Sequence, residues 1–362
     1  MKILSMKGGR QQMKAIIKSG RKPGVECVDI PRPIPKADEV LIQVKATAIC
    51  GTDIHYWKWN DSAEAFANQY NVKFPFVLGH ECAGIVTEVG PEVTGIEAGD
   101  HVAFETHIYC GHCYQCRTGN AHNCRNLAIY GTSCDGCFAE FATAPASVCF
   151  KLPETVGFEE GARYEPGGVA MHAVQRSDVQ PSDTVLVFGC GAIGQMVTQI
   201  MMASGAGRVI AVDIDDYKVG MARAYGAIGV NSAKEDLGEV VKRYTADRGG
   251  VDVIVEVTGA PSVYETLFDY LRPEGHVVTV AHPGRPIPIN ITKSINTKGA
   301  TLRGVFGRRI WDTWYALSGL VENQKIDLNK VITHRFPLSQ CTEAFEQTGK
   351  GAGKILFIPE WD

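Results

Sequence analysis

The segment that most constrains this chain is Gly189-Cys190-Gly191-Ala192-Ile193-Gly194. It follows the apolar run Val185-Leu186-Val187-Phe188 and precedes a helical stretch that extends to Ser204. Glycines spaced G-x-G-x-x-G between a buried strand and a helix permit a tight turn and leave the helix N-terminus open to an anion. The match alone is weak in a chain with 39 glycines among 362 residues, so the surrounding order decides. Arg208-Val209-Ile210-Ala211-Val212 reads as the next strand, and Asp213 closes it, 19 residues past Gly194. A carboxylate there accepts hydrogen bonds from both hydroxyls of an adenosine ribose and repels a 2′-phosphate, which favours NAD over NADP. Gly189, Gly191, Ala192, Ile193 and Gly194 are then the cofactor turn, Asp213 the ribose ligand, and Lys218 a side chain along the adenosine. A helix from Tyr217 to Tyr225 and strands over 251–257 and 276–280 continue the alternation. The pattern predicts a doubly wound α/β sheet of the Rossmann type.

Before about residue 160 the texture differs. Short β-rich runs such as Val40-Leu41-Ile42-Gln43-Val44 are broken by Gly and Pro, with few helical stretches. After about residue 310 come a helix (Trp311 to Asn323), a short extended piece and a last helix (Ser339 to Thr348). The expected division is an N-terminal extension over 1–12, a β-rich domain over 13–167, a nucleotide domain over 168–307, and a return to the first domain over 308–362.

The net charge of −4 argues against a grip on nucleic acid, and no apolar run approaches the ~18 residues of a membrane span. The opening Met1–Arg10 segment is basic but has no apolar signal core, so the chain reads as soluble and cytoplasmic. Seven of the 12 cysteines lie between Cys82 and Cys137, and in a reducing compartment such clustering points to metal. Cys110-x2-Cys113-x2-Cys116-x7-Cys124 puts four thiols within 15 residues, enough to close a tetrahedral shell on a structural zinc. Buried apolar cysteines, an iron–sulfur cluster and a nucleic-acid zinc ribbon are the alternatives; the ribbon leaves the dinucleotide turn unexplained. Cys134-x2-Cys137 reads as incidental, with a thiol redox pair as its other reading.

A dispersed third set consists of Cys50-Gly51-Thr52-Asp53-Ile54-His55, Gly79-His80-Glu81 and Glu165-Pro166. Together they offer a thiolate, an imidazole and two carboxylates. Three protein ligands with one open position mark a catalytic zinc.

With these residues in view, the chain resembles the zinc-dependent medium-chain dehydrogenases of the alcohol dehydrogenase type. Gly79-His80-Glu81-x2-Gly84-x5-Gly90-x2-Val93 matches their zinc signature, and the likeness runs over about residues 13–360. It implies a GroES-like catalytic domain with a zinc lobe at 107–126 and the Rossmann domain inserted into it. It implies two zincs per chain: a structural one on Cys110, Cys113, Cys116 and Cys124, and a catalytic one on Cys50, His80 and Glu165. Glu81 would be a nearby or alternating ligand, and Thr52 and His55 a proton relay. The expected partners are a small secondary alcohol and further copies of the chain, as a dimer or tetramer.

Within the family the chain is most similar to the threonine-oxidising branch, through Glu105–Cys113, Gly304–Arg308, Thr313-Trp314-Tyr315 and Ile332–Phe336. Pro166-Gly167-Gly168-Val169 departs from that branch, and the stretch between His55 and Gly79 is longer than usual. Oxidation of a polyol or sugar alcohol is the second reading, and a non-catalytic NAD- and zinc-binding protein the third. Arg285, Arg308 or Arg309 could hold a substrate carboxylate. Tyr56, Trp57 and Trp59 could wall the pocket or simply pack the core.

Overall fold

The computed structural model describes residues 12–361. The expected extension over 1–12 therefore lies outside the described residues except for Gln12, which opens the first strand, Gln12–Lys18.

The nucleotide half is a six-stranded sheet with every neighbouring pair parallel. Its strands are Thr184–Phe188, Arg208–Asp213, Ile228–Asn231, Val251–Glu256, Leu271–Thr279 and Thr301–Gly304. Numbered one to six along the chain, they lie in the order 3-2-1-4-5-6. Central strands one and four are buried at every residue, because helices cover both faces of a parallel sheet. The order reverses between these two strands, and there the helix Ala192–Ala203 begins. Such a reversal opens a crevice at the C-terminal strand ends, which is where α/β sheets take ligands. Strands three and six have only four residues each, too short to show a period in the sequence.

The other half is a seven-stranded, mostly antiparallel sheet. Glu39–Ala48 is its spine, pairing with Glu81–Val89, Phe141–Pro145 and Lys354–Phe357. His101–Phe104 and Cys149–Lys151 extend one side, Ile332–Phe336 the other. Leu356 lies opposite Ala48 and Phe357 opposite Thr47, so the last strands complete the sheet that residues 39–48 began. Two helices, Gly51–Lys58 and Asp61–Gln69, interrupt the region read as strands and loops. Asn60 starts the second by accepting the Ala63 N–H at 3.2 Å, and Asp61 and Glu64 favour its positive end.

The helix Tyr164–Ser177 joins the halves. Most of its residues are buried, and it packs against Asp312–Glu322 in one apolar cluster that contains Ala46 and Ala83 as well as Val185 and Val187. Tyr164 and Trp314 are fully buried in this cluster. Glu165 is thereby carried, in the first turn of a buried helix, to the junction of the two halves.

Candidate metal and nucleotide sites

Cys50 lies two residues beyond the spine strand and caps the helix Gly51–Lys58, and its N–H donates to the Asp53 carboxylate at 2.8 Å. His80 and Glu81 come from the adjacent strand, whose register sets Glu81 opposite Ala48. Gly79, with φ +92°, makes the turn that aims them; a Cβ there would sit 2.1 Å from the Phe138 ring. The ligand atoms of Cys50, His80 and Glu81 all lie within 4.8 Å of one another, with His80 5% and Glu81 0% exposed. His80 Nδ1 and Glu81 Oε2 have no hydrogen-bond partner, although both are buried. Unpaired buried polar atoms are costly, so residues that meet in one cluster and still carry such atoms fit an ion.

The surrounding charge agrees. Four buried carboxylates (Asp53, Glu81, Glu105, Glu165) face three buried cations (Arg163, Arg308, Lys354). The chamber is therefore richer in carboxylates than in cationic side chains, which suits a bound cation. The same field acts on His80: burial pulls its pKa down, but Cys50 and Asp53 outweigh burial and lift it to about 10.

Glu165 lies outside this three-residue cluster. Its Oε1 sits 2.6 Å from Arg308 Nη1 and accepts the Thr106 hydroxyl at 2.9 Å. Glu81 is held through its other oxygen, Oε1, by Lys354, and Arg163 stands 3.4 Å from Oε2. Thr52 and His55 share the helix that Cys50 caps, three residues apart and so on one side of it. His55 Nδ1 is 2.8 Å from Asn60 Nδ2, and burial lowers its pKa, with the Asn60 bond opposing.

Cys110, Cys113, Cys116 and Cys124 also converge within 4.8 Å. Cys113 Sγ lies 3.5 Å from Cys116 Sγ and 3.8 Å from Cys124 Sγ. A tetrahedron with Zn–S bonds of about 2.3 Å has edges of about 3.8 Å, whereas a disulfide is about 2.05 Å. The N–H groups of Cys110 and Asn126 point at Cys124 Sγ at 3.4 and 3.3 Å, as thiolates require. Cys134 is exposed while Cys137 is fully buried, 3.1 Å from the Thr47 hydroxyl, so the structure does not present them as a thiol pair.

In the nucleotide turn Gly189 takes φ +101°, and a Cβ at Gly194 would lie 1.8 Å from the Gly189 carbonyl oxygen. A Cβ at Gly191 would meet nothing within 4 Å: the cradle opens outward at the helix N-terminus, with room for a pyrophosphate. Ala192 and Ile193 form the first turn of that helix. Asp213 is fixed by three backbone N–H groups, those of Cys190 and Ile214 at 2.8 Å and Asp215 at 3.1 Å. Lys218 is half-buried, its carbonyl accepting from Gln195 Nε2 at 2.8 Å. A cavity of about 690 Å³ adjoins the ends of strands five and six, lined by Thr279–Ala281 and Gly304-Val305 among others.

Three residues considered for carboxylate binding are placed differently. Arg308 is 3% exposed and already paired with Glu105 and Glu165. Arg285 is exposed beside Glu265, and Arg309 is also exposed. Tyr56, Trp57 and Trp59 belong to an apolar cluster in which Trp57 stacks on Phe345 and Trp59 meets Phe74 edge-on. Glu105, Arg163 and Lys354 were not legible as site residues, since only the tertiary fold brings them to the chamber; Asp53 lies three residues from Cys50 and is held there locally.

Comparison with known proteins agrees with this architecture. Residues 36–154 match the family described as alcohol dehydrogenase GroES-like domain, and residues 192–323 the family described as zinc-binding dehydrogenase. The L-threonine 3-dehydrogenase of Caldanaerobacter subterraneus subsp. tengcongensis is 39% identical over 96% of this chain and 99% of its own. The 2R,3R-butanediol dehydrogenase of Bacillus subtilis superposes with a TM-score of 0.86 at 29% identity, over 96% of this chain and all of the other. A protein described as a zinc-binding dehydrogenase from Sinorhizobium meliloti 1021, bound to NADP, also superposes with a TM-score of 0.86, at 28% identity over the same shares. The chain belongs to the zinc-dependent medium-chain dehydrogenases of the alcohol dehydrogenase type, oxidoreductases that use zinc and a nicotinamide dinucleotide.

Proposed function

We propose that this chain oxidises L-threonine at its 3-hydroxyl, with NAD as acceptor, to 2-amino-3-oxobutyrate. The observation that carries the reading is the near full-length similarity to an L-threonine 3-dehydrogenase, joined to the buried Cys50–His80–Glu81 cluster. Cys50, His80 and a carboxylate would hold a catalytic zinc; the likeness to the family favours Glu165, the clustering with Cys50 and His80 favours Glu81, and the other would be the alternating ligand. Cys110, Cys113, Cys116 and Cys124 would hold a second, structural zinc. When bound, zinc makes the substrate hydroxyl more acidic and NAD accepts hydride from the carbon. Thr52 would pass the hydroxyl proton to His55. Its partial exposure leads to solvent, and its lowered pKa keeps it neutral and able to accept. His80 stays anchored by its anionic surroundings.

The choice of NAD rests on Asp213, since relatives of this fold bind either cofactor. Asp213→Ala removes a charged acceptor, a loss of roughly 1.5–3 kcal/mol. The KM for NAD should rise about tenfold or more while the preference over NADP shrinks. Steady-state kinetics with both cofactors checks this, and equal use of NADP by the unaltered enzyme would contradict the role of Asp213.

A polyol or diol is the second reading, and one observation favours it. Arg163, Arg308 and Lys354 each already face a carboxylate, so these buried cations are committed before a substrate carboxylate arrives. Assembly as a dimer or tetramer in the cytoplasm completes the proposal. Edge strand Thr301–Gly304 carries Leu302 at 43% exposure, and no disulfide joins the described cysteines. Among the described residues, no helix is long and apolar enough to cross a membrane.

A further inference from the structure

We propose that Arg308 is the positioning residue that decides which carboxylate, Glu81 or Glu165, completes the metal site, by detaining Glu165 away from it. The inference rests on the reading of Cys50 and His80 as metal ligands.

Arg308 is buried and uses both ends of its guanidinium. Nε donates to the Glu105 oxygens at 3.0 and 2.8 Å, Nη2 donates to Glu105 Oε1, and Nη1 lies 2.6 Å from Glu165 Oε1. Glu105 is itself immobilised: the Trp314 indole N–H donates to Oε2 at 2.8 Å and the His107 N–H to Oε1 at 2.9 Å. The strut therefore ends on a rigid anchor, and its free end grips Glu165. Thr106 donates to the same Glu165 oxygen, which is thus engaged twice. Glu81 differs in its place: although Lys354 holds Oε1 and Arg163 stands 3.4 Å from Oε2, one of its oxygens lies in the cluster with Cys50 and His80, which Glu165 does not join. The two carboxylates flank one chamber, and only Glu81 lies within reach of Cys50 and His80.

The chain makes room for this strut. Gly168 lies one turn along the helix from Glu165, and a Cβ there would sit 2.9 Å from Arg308 Cγ and 3.0 Å from Cδ. Behind Arg308, His172 Nδ1 donates to the Gly307 carbonyl at 3.0 Å, which fixes the approach of the segment. Removing the guanidinium, or pushing it aside from Gly168, frees Glu165 to reach the metal. A carboxylate whose oxygen is paired with a guanidinium must give up that charge-assisted bond before it can turn to an ion, so releasing it makes it the better ligand.

The test replaces zinc with Co(II) in the intact chain and compares wild type, Arg308→Gln, Gly168→Ala, Glu165→Gln and the double variant Arg308→Gln/Glu165→Gln. Visible d–d bands report the ligand set, and the rate of cobalt loss to a chelator reports affinity. In Glu165→Gln alone, both stay close to wild type. In Arg308→Gln the bands shift and metal loss slows by about tenfold or more, as an added ligand would produce, and the double variant reverts to wild-type values. Gly168→Ala, which keeps the arginine, shifts both in the same direction and carries the test if Arg308→Gln does not fold. A Glu165→Gln spectrum displaced as far as that of Arg308→Gln means Glu165 is already a ligand and overturns the proposal. So does a folded Arg308→Gln protein, or, failing that, Gly168→Ala, with unchanged bands and off-rate. If the wild-type cobalt spectrum is identical to that of Cys50→Ser, the metal reading fails instead, and the two failures are told apart.

Discussion

Cys50→Ser protein is expected to fold, to retain about one zinc per chain, and to lose turnover by about a thousandfold or more. The size follows from the several kcal/mol that a Lewis acid contributes to charge stabilisation, at roughly 1.4 kcal/mol per tenfold in rate. Cys50 occupies a helix cap at the edge of a chamber, and the cores around it do not depend on its sulfur. Cys110→Ser should behave in the opposite way. The four-cysteine lobe has little regular structure of its own: two two-residue strands, a four-residue helix and a 3-10 turn. Zinc must therefore supply its folding energy, on the order of 10 kcal/mol in small zinc modules, and the variant should lose the lobe and aggregate or unfold at lower temperature. Elemental analysis with thermal melts separates the two cases. A fully loaded wild type with one zinc per chain, or Cys50→Ser with wild-type turnover, would refute the two-site assignment. Chelation should empty the Cys50 site first, since it has an exchangeable position and the cysteine shell is closed.

The second large effect concerns substrate choice. Measured side by side with zinc and NAD, kcat/KM for L-threonine should exceed that for sorbitol, xylitol, galactitol and 2,3-butanediol by at least about a hundredfold. A site that satisfies an ammonium and a carboxylate leaves its own polar groups unpaired around a neutral polyol, and such mismatches cost several kcal/mol. The competing result has a physical source in this molecule, because the buried cations nearest the metal cluster are already neutralised by Glu81, Glu105 and Glu165. If a polyol wins by about tenfold or more, a difference of roughly 1.4 kcal/mol, the threonine reading falls. The zinc and nucleotide assignments stand in that event, because they rest on other residues. Gly167 would then be the place to look: a Cβ there would lie 2.7 Å from Leu317, so the helix beside Glu165 is packed for a residue without one.

The parts legible in the sequence are those whose chemistry is local. Gly189–Gly194, Asp213 and the cysteines from Cys110 to Cys124 each act within one turn or one loop, so spacing along the chain is already spacing in space. Strands one, two and four of the nucleotide sheet were legible because burial on both faces leaves continuous apolar runs. The helices Gly51–Lys58 and Asp61–Gln69 were not, although Asn60-Asp61 with Glu64 is a start signal that could have found the second. Cys50, His80, Glu81 and Glu165 could be grouped by donor type, but their spacing did not require one site, and the division of roles among them came from the resemblance to a family.

What the amino-acid sequence determined by itself, then, is the inventory: a dinucleotide turn, a closed set of four thiols and the donors for a second metal. The tertiary structure decided how those donors are divided. A strand register sets Glu81 beside Cys50 and His80, and a residue 143 positions further along than Glu165, Arg308, pairs with that second carboxylate instead. It also decided that Arg308 is paired with two carboxylates, Glu105, 203 residues away, and Glu165. Neither outcome is written in any local pattern. Charges buried together select their partners by distance and desolvation, and those are properties of the packed chain alone.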